Sequence, residues 1–231
     1  MLEAHDLRVR GPDGSAALAG LTIFAHAGEL LGVLGGHGAG KSALLRTIAG
    51  LARPEGGRIR LDGADITGLE AHERSARGVA YVGEQQRVLG RLSVRDNLLA
   101  GAWRRRDLRA VAADLAEWYG RFPALAAAPR RRGAVLVSAE QIATALGRAW
   151  LARPRVLLVD EPFLGLDDGA RAGVAGALRA ARDAGLAVIC AFHESTDASI
   201  ADRVNLLSAG RLVFSGSPSA LAAAGAAAAL E

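Results

Sequence analysis

Two clusters of residues in this sequence have the types and spacing that handle phosphate. Gly35-Gly36-His37-Gly38-Ala39-Gly40-Lys41-Ser42 fits the pattern G-x-x-x-x-G-K-[ST]. Glycines let a loop wrap so that successive backbone N–H groups point inward at phosphate oxygens, and a following helix adds the positive end of its dipole. In such a loop Lys41 reaches the β- and γ-phosphates and the Ser42 hydroxyl ligates Mg²⁺, while Gly35, Gly36, His37, Gly38, Ala39, Gly40 and Ala43 contribute mainly backbone. The second cluster is Val156-Leu157-Leu158-Val159-Asp160-Glu161, an apolar run ending in two acids. Asp160 suits a hold on Mg²⁺, and Glu161 suits the polarising of an attacking water as general base. A chance glycine-rich turn and a strand ending in solvated acids are the plain alternatives, and finding both clusters in one chain argues against each. The chemistry is nucleoside triphosphate binding with Mg²⁺, and a water polarised by Glu161 is the expected phosphoryl acceptor.

Such groups need a scaffold that carries them at strand ends. Short apolar runs at 30–34, 79–82, 155–159, 186–191 and 204–207, several followed by helical patterns, predict a mainly parallel sheet wrapped by helices. The phosphate loop directly follows the first of these runs and precedes the helical pattern 43–50. Residues 2–9 and 18–24 predict strands of an antiparallel flank, joined by the turn Gly11-Pro12-Asp13-Gly14, and 58–61 a further strand ending at Asp62-Gly63. From Ser93 the apolar spacing becomes helical, through Val94, Leu98, Leu99, Leu108, Val111, Leu115, Trp118 and Tyr119, so residues 93–152 read as an inserted helical subdomain within a single domain, 1–231. Two basic runs bound it, Arg104-Arg105-Arg106 and Arg130-Arg131-Arg132, which read as solvated surface or as a docking face for an acidic partner. Trp103, Trp118 and Trp150 are expected to pack in the core. The Ala-rich tail from Ala220 predicts a short helix and a frayed end.

Composition sets the class. Of 231 residues 51% are apolar, which excludes disorder, and the single Cys190 excludes a disulfide scaffold and suits a reducing compartment as a buried, inert thiol. No apolar run is long enough for a membrane span, and the start, Met1-Leu2-Glu3-Ala4-His5-Asp6, lacks signal-peptide character, so a cytoplasmic location is expected. The net charge of +4 argues only weakly for a polyanion partner such as a nucleotide.

With both clusters placed, the chain resembles the ATP-binding subunits of ABC transporters over essentially its full length. Phe163-Leu164-Gly165-Leu166-Asp167 is similar to the D-loop that follows the catalytic Glu, and His193 in Ala191-Phe192-His193-Glu194 to the switch histidine that contacts the γ-phosphate. A closer likeness is to the short ATPase subunit of branched-chain amino-acid uptake systems. It rests on Tyr81-Val82, Arg91-Leu92-Ser93-Val94-Arg95-Asp96-Asn97-Leu98, Phe122-Pro123-Ala124-Leu125 and Leu151-Ala152-Arg153-Pro154. The resemblance implies an α/β P-loop NTPase with the ABC ATPase fold. It also implies a head-to-tail pair with a second ABC ATPase subunit, a permease docked on the helical subdomain, an external substrate-binding protein, a place on the inner face of the membrane, and no nucleic acid.

Departures from the family pattern are confined to particular positions. The signature, normally Leu-Ser-Gly-Gly-Glu-Gln, reads Leu136-Val137-Ser138-Ala139-Glu140-Gln141. Val137 cannot donate a hydrogen bond to a γ-phosphate held by the other subunit, and Ala139 adds a methyl where a backbone must come close; a one-residue shift restores Ser138 but not the glycines. The metal-ligating Q-loop glutamine falls on Glu84, a competent Mg²⁺ ligand with added negative charge, with Gln85 as the substitute if the loop shifts. No aromatic stands in Arg8-Val9-Arg10-Gly11 to stack on adenine, which leaves the Arg10 guanidinium plane or no stacking at all.

Three functions compete on these grounds. The first is the energising subunit of an importer of branched-chain amino acids or related amides. The second is a hydrolysis-poor regulatory nucleotide-binding partner in an asymmetric pair, favoured by the signature and Glu84 and opposed by the intact Glu161 and His193, which with Lys41, Ser42 and Asp160 make a complete half-site. The third, an ATPase acting on nucleic acid or ribosomes, is disfavoured because such chains carry two ATPase domains or long insertions.

Overall fold

The computed structural model describes residues 1–11, 14–84 and 88–224. In chain order, β1 (Leu2–Arg10) and β2 (Ala16–Ala25) are followed by β3 (Leu30–Leu34), α1 (Lys41–Ala49), β4 (Gly56–Leu61), β5 (Ala64–Asp65), α2 (Ala71–Ala76) and β6 (Val79–Val82). Four helices come next, α3 (Val94–Ala100), α4 (Leu108–Arg121), α5 (Pro123–Ala127) and α6 (Ser138–Leu151), with no strand among them. The chain then runs through β7 (Val156–Asp160), α7 (Asp168–Asp183), β8 (Ala187–Ala191), β9 (Arg203–Ser208), β10 (Arg211–Gly216) and α8 (Pro218–Ala223).

The strands form two sheets, an antiparallel one in the order β2-β1-β4-β5 and a larger one in the order β10-β9-β3-β8-β7-β6. All neighbours in the larger sheet are parallel except β10 on β9. Its central strands are continuous apolar runs because they are covered on both faces. On β7, Leu157 and Val159 face the cluster shared with α3 to α7, while Val156 and Leu158 face α1 and the antiparallel sheet. In β1 the alternation of buried residues slips between Ala4 and Leu7, at a register shift where Asp6 has φ 49°.

Helix α1 lies between the two sheets, with Leu44, Leu45 and Ile48 fully buried. Its C-terminal end is held by Arg74 of α2, a buried guanidinium that donates to the carbonyls of Thr47, Ile48, Thr67 and Leu69. A cation at that end complements the helix dipole.

Several sequence expectations are revised by the packing. β10 is absent from the expected strands: at a sheet edge its short apolar stretch Leu212-Val213-Phe214 stays largely exposed, and the two-residue turn Ala209-Gly210, with φ 46° and 72°, returns the chain onto β9. Gly210 N–H donates to Ala39 O and its carbonyl accepts from Ala19 N–H, so this hairpin joins the phosphate loop to β2. Trp118 is buried and donates to Ala143 O as expected of a core tryptophan. Trp103 is not in the core: α3 stops at Ala100, and the ring stands 77% exposed with the Arg104 guanidinium 5.6 Å from its centre. The first arginine run is not simply solvated either, because Arg105 is half-buried and bonds Asp107, Asp114 and the Leu151 carbonyl. In the Gly11–Gly14 turn, Gly14 N–H donates to Gly11 O; Pro12 and Asp13, like Gln85 and the tail beyond Ala224, lie outside the described residues. Among the described residues no helix is long and apolar enough to cross a membrane.

Candidate functional site

The phosphate loop is the link between β3 and α1. Gly40 precedes α1 with φ 104°, and Gly35 leaves β3 with φ 151°. A Cβ at either would come within 2.5 Å of a backbone oxygen, of Ala17 and Leu207 respectively, so the loop can be this compact only with glycine at both positions. The first N–H groups of α1 therefore open onto a cavity of about 540 Å³, lined by Gly36 to Ala43 on one side and by Glu84, Glu161 and His193 on the other. Gly11, Ser15, Ala16 and Ala17 close a further wall.

Charged groups cluster on that cavity. Lys41 is buried, donates to the carbonyl oxygens of Gly35 at 2.6 Å and Gly36 at 3.4 Å, and stands 3.8 Å from Glu161 Oε1. Asp160 ends β7 with 2% exposure and accepts from Ser42 Oγ at 3.1 Å through one carboxylate oxygen and from Tyr81 Oη at 3.2 Å through the other. Burial pushes the Asp160 carboxyl above the usual carboxylate range, against the hydrogen bonds that lower it. Burial likewise raises Glu161, opposed by Lys41 and His193 and reinforced by Asp160 and Glu84. Glu161 has φ 49°, a conformation few residues other than glycine adopt, and its N–H donates to Ala191 O at the end of β8. That bond ties the loop carrying Glu161 to the strand that delivers His193.

A second tie was not anticipated from the sequence. The rings of Phe163 and Phe192 stack with centres 5.8 Å apart and planes 9° from parallel, and the Arg171 guanidinium covers Phe163 while pairing with buried Asp197. Phe163 follows Glu161 by two residues and Phe192 immediately precedes His193, so an aromatic beside each site residue was the available signal. In the sequence Tyr81 stands out only as part of a family-like segment, and the contact of its hydroxyl with Asp160 has no linear signature.

The signature-like and D-loop-like segments lie outside this cavity lining. Val137 is 64% exposed at the start of α6, Ser138 is exposed, and Ala139 is half-buried. Glu140 accepts from Val137 N–H and pairs with Arg131, which places the second arginine run partly in the service of that helix start. Gly165, with φ 72°, Leu166 and Asp167 lead into α7, where the Asp167 side chain caps the helix by accepting from Ala170 N–H at 2.8 Å. Arg10 is held by Glu55 through both carboxylate oxygens and by Gly14 O, so its guanidinium is engaged at the turn.

The donor set suits a magnesium–nucleotide complex. Loop N–H groups and Lys41 match phosphate oxygens, and the adjacent Ser42 and Asp160 oxygens are the hard ligands a divalent cation takes.

Comparison with known proteins bears on the same residues. The family model of the ABC transporter matches residues 18–164. The chain is 33% identical to the phosphonates import ATP-binding protein PhnC of Alcaligenes faecalis, over 96% of this chain and 84% of that one. It is 29% identical to the lipopolysaccharide export system ATP-binding protein LptB of Haemophilus influenzae, over 86% and 83%. Among solved structures, an ATP binding subunit of an ABC transporter superposes with a TM-score of 0.84 at 24% identity, covering 98% of this chain and 94% of that one. A dimeric ATP-binding cassette in a post-hydrolysis state, bound to ADP and Pi, superposes with a TM-score of 0.83 at 20% identity, covering 94% and 99%. A phosphate loop opening onto paired acids, the two-sheet scaffold and these matches together establish that the chain belongs to the ABC transporter family as an ATP-binding subunit with the ABC ATPase fold.

Proposed function

We propose that the chain hydrolyses ATP in the cavity between the phosphate loop and the Glu161–His193 wall, and that this drives an importer. One observation carries the reading: Lys41, Ser42, Asp160, Glu161 and His193, drawn from three separate parts of the chain, converge around the start of α1. The loop N–H groups and Lys41 hold the β- and γ-phosphates. Ser42 and Asp160, with Glu84 from the opposite wall, would hold Mg²⁺, which neutralises charge building on the phosphate oxygens. Glu161 orients the attacking water and takes its proton at a carboxylate oxygen; burial raises its basicity, which favours that transfer. His193, exposed on the same wall, contacts the γ-phosphate.

The completed site is shared with a second ABC ATPase subunit, which supplies its signature segment to this chain's phosphate loop. Residues 93–152 serve as the inserted subdomain on which the permease docks at the inner face of the membrane, with an external binding protein delivering the cargo. PhnC carries import in its name and LptB export, so relatives of similar likeness work in both directions. Import of branched-chain amino acids or related amides rests on the segments around Ser93, Phe122 and Leu151.

A second reading is favoured by Val137 and Ala139. In a pair with a non-identical ATPase, this chain's phosphate loop would form the active site and its own signature segment would serve a slow one. ATP turnover and ATP binding of the purified chain beside Glu161→Gln test both readings. A general base contributes about 10²–10⁴-fold, so the variant is expected to bind ATP and lose turnover by that factor. Binding without turnover in both proteins would favour the asymmetric pair, and no binding in either would overturn both readings.

A further inference from the structure

Tyr81 stands on β6 beside β7, in register with Leu158, two positions before Asp160. From there its side chain spans the strand end and its hydroxyl donates to Asp160 Oδ2 at 3.2 Å, while Ser42 Oγ donates to Oδ1 at 3.1 Å. A carboxylate as buried as Asp160 needs its oxygens bonded, and these two hydroxyls fix the plane of the carboxylate between them. The Tyr81 ring itself is half-buried. It walls a groove of about 320 Å³ with Ala49, Ala80, Gly101, Trp103 and Arg148, and a Cβ at Gly83 would come 3.2 Å from it, so the glycine there leaves the ring its place.

We propose that Tyr81 is a positioning residue for the divalent cation: by holding one oxygen of Asp160 it turns the other toward Ser42 and the metal–nucleotide complex. The proposal rests on the reading of Asp160 as the acid that holds the metal. Tyr81 does not itself touch the ion; it sets the rotamer of the side chain that does. Removing an outer partner of a metal ligand lowers metal affinity by about 10–100-fold.

The test uses the full chain and Tyr81→Phe, which keeps the ring in the groove and removes only the hydroxyl. Mn²⁺ binding is followed by the electron paramagnetic resonance signal of the free ion in the presence of a non-hydrolysable ATP analogue, and analogue binding is measured separately in EDTA. The expected result is Mn²⁺ affinity about tenfold weaker in the variant, with metal-free analogue affinity within about twofold of the wild type. Unchanged Mn²⁺ affinity overturns the proposal. An equal loss of metal-free affinity also overturns it, because the hydroxyl would then be holding the loop rather than the acid. If Mn²⁺ adds nothing to analogue binding in the wild type, the reading of Asp160 falls and the proposal with it. As a second check, Tyr81→Phe and Asp160→Asn must combine less than additively, since both act on one carboxylate.

Discussion

The phosphate loop and the start of α6 are built in opposite ways. Around the phosphate loop, two charged side chains are buried and bonded, Lys41 to two loop carbonyls and Asp160 to two hydroxyls, and the Glu161 backbone is tied to β8. At the start of α6 the side chain of Val137 is exposed and apolar, Ala139 presents a methyl, and the bonded group, Glu140, turns back onto Arg131 and the helix's own N–H. Burying charge is costly even when it is bonded, and raised carboxylates gathered in a cleft mark a candidate site, which is the character of the first region. The second has a polar framework and exposes Val137 beside the Ser138 hydroxyl, so it offers a partner fewer polar groups than the phosphate loop offers its nucleotide.

The largest test of this contrast is to give the second region what it lacks. Val137→Ser with Ala139→Gly restores a donor and a close backbone approach, and turnover of the self-paired chain should rise by about 10²-fold. Steady-state ATPase assays read this directly, and an unchanged rate would mean that the α6 end is not the limiting element.

A smaller effect is expected on the phosphate side. The Glu84 carboxylate raises the titration of both Asp160 and Glu161, while Lys41 acts in the other direction on both and His193 on Glu161. In Glu84→Gln both carboxyls therefore titrate lower, and a base that must be ionised stays active further into acid. The acid limb of the rate–pH profile should move to lower pH, and Mn²⁺ affinity should fall by up to about fivefold, as suits a partly exposed charge. A shift of the limb to higher pH would show that Glu84 does not face these acids.

The smallest effect concerns stability. Glu140→Gln weakens the closure of the α6 N-terminus and its tie to Arg131 at a cost of about 0.5–1 kcal/mol, a fall of roughly 1–4 °C in Tm. Calorimetry would measure it, and a rise in Tm would mean that the Glu140–Arg131 pair is held at a net cost.

Much of this was legible in the chain because it is local. The phosphate loop must follow a strand and open a helix, and β3 and α1 stand on either side of it. The parallel strands announced themselves as unbroken apolar runs, since both of their faces are covered. Trp103 was misjudged because helical spacing seemed to continue past Ala100, whereas the chain turns there and the ring leaves the core. β10 was missed because an edge strand has a mixed composition and its turn carries Ala at a positive φ. Tyr81 with Asp160, and Phe163 with Phe192, are partnerships across 79 and 29 positions that only the folded sheet brings together.

The order of strands in the larger sheet has a consequence for how the chain comes into being. β3, from which the phosphate loop springs, is hydrogen-bonded on its two sides by β8 and β9, and the loop itself is braced by the Ala209-Gly210 turn through Ala39 O. All three braces are made from the last quarter of the sequence. On the ribosome, the motif that is synthesised first must wait for nearly the whole polypeptide to emerge before it has neighbours, and a chain truncated before residue 187 would carry every residue of its phosphate loop with no strand on either side of β3 to shape it.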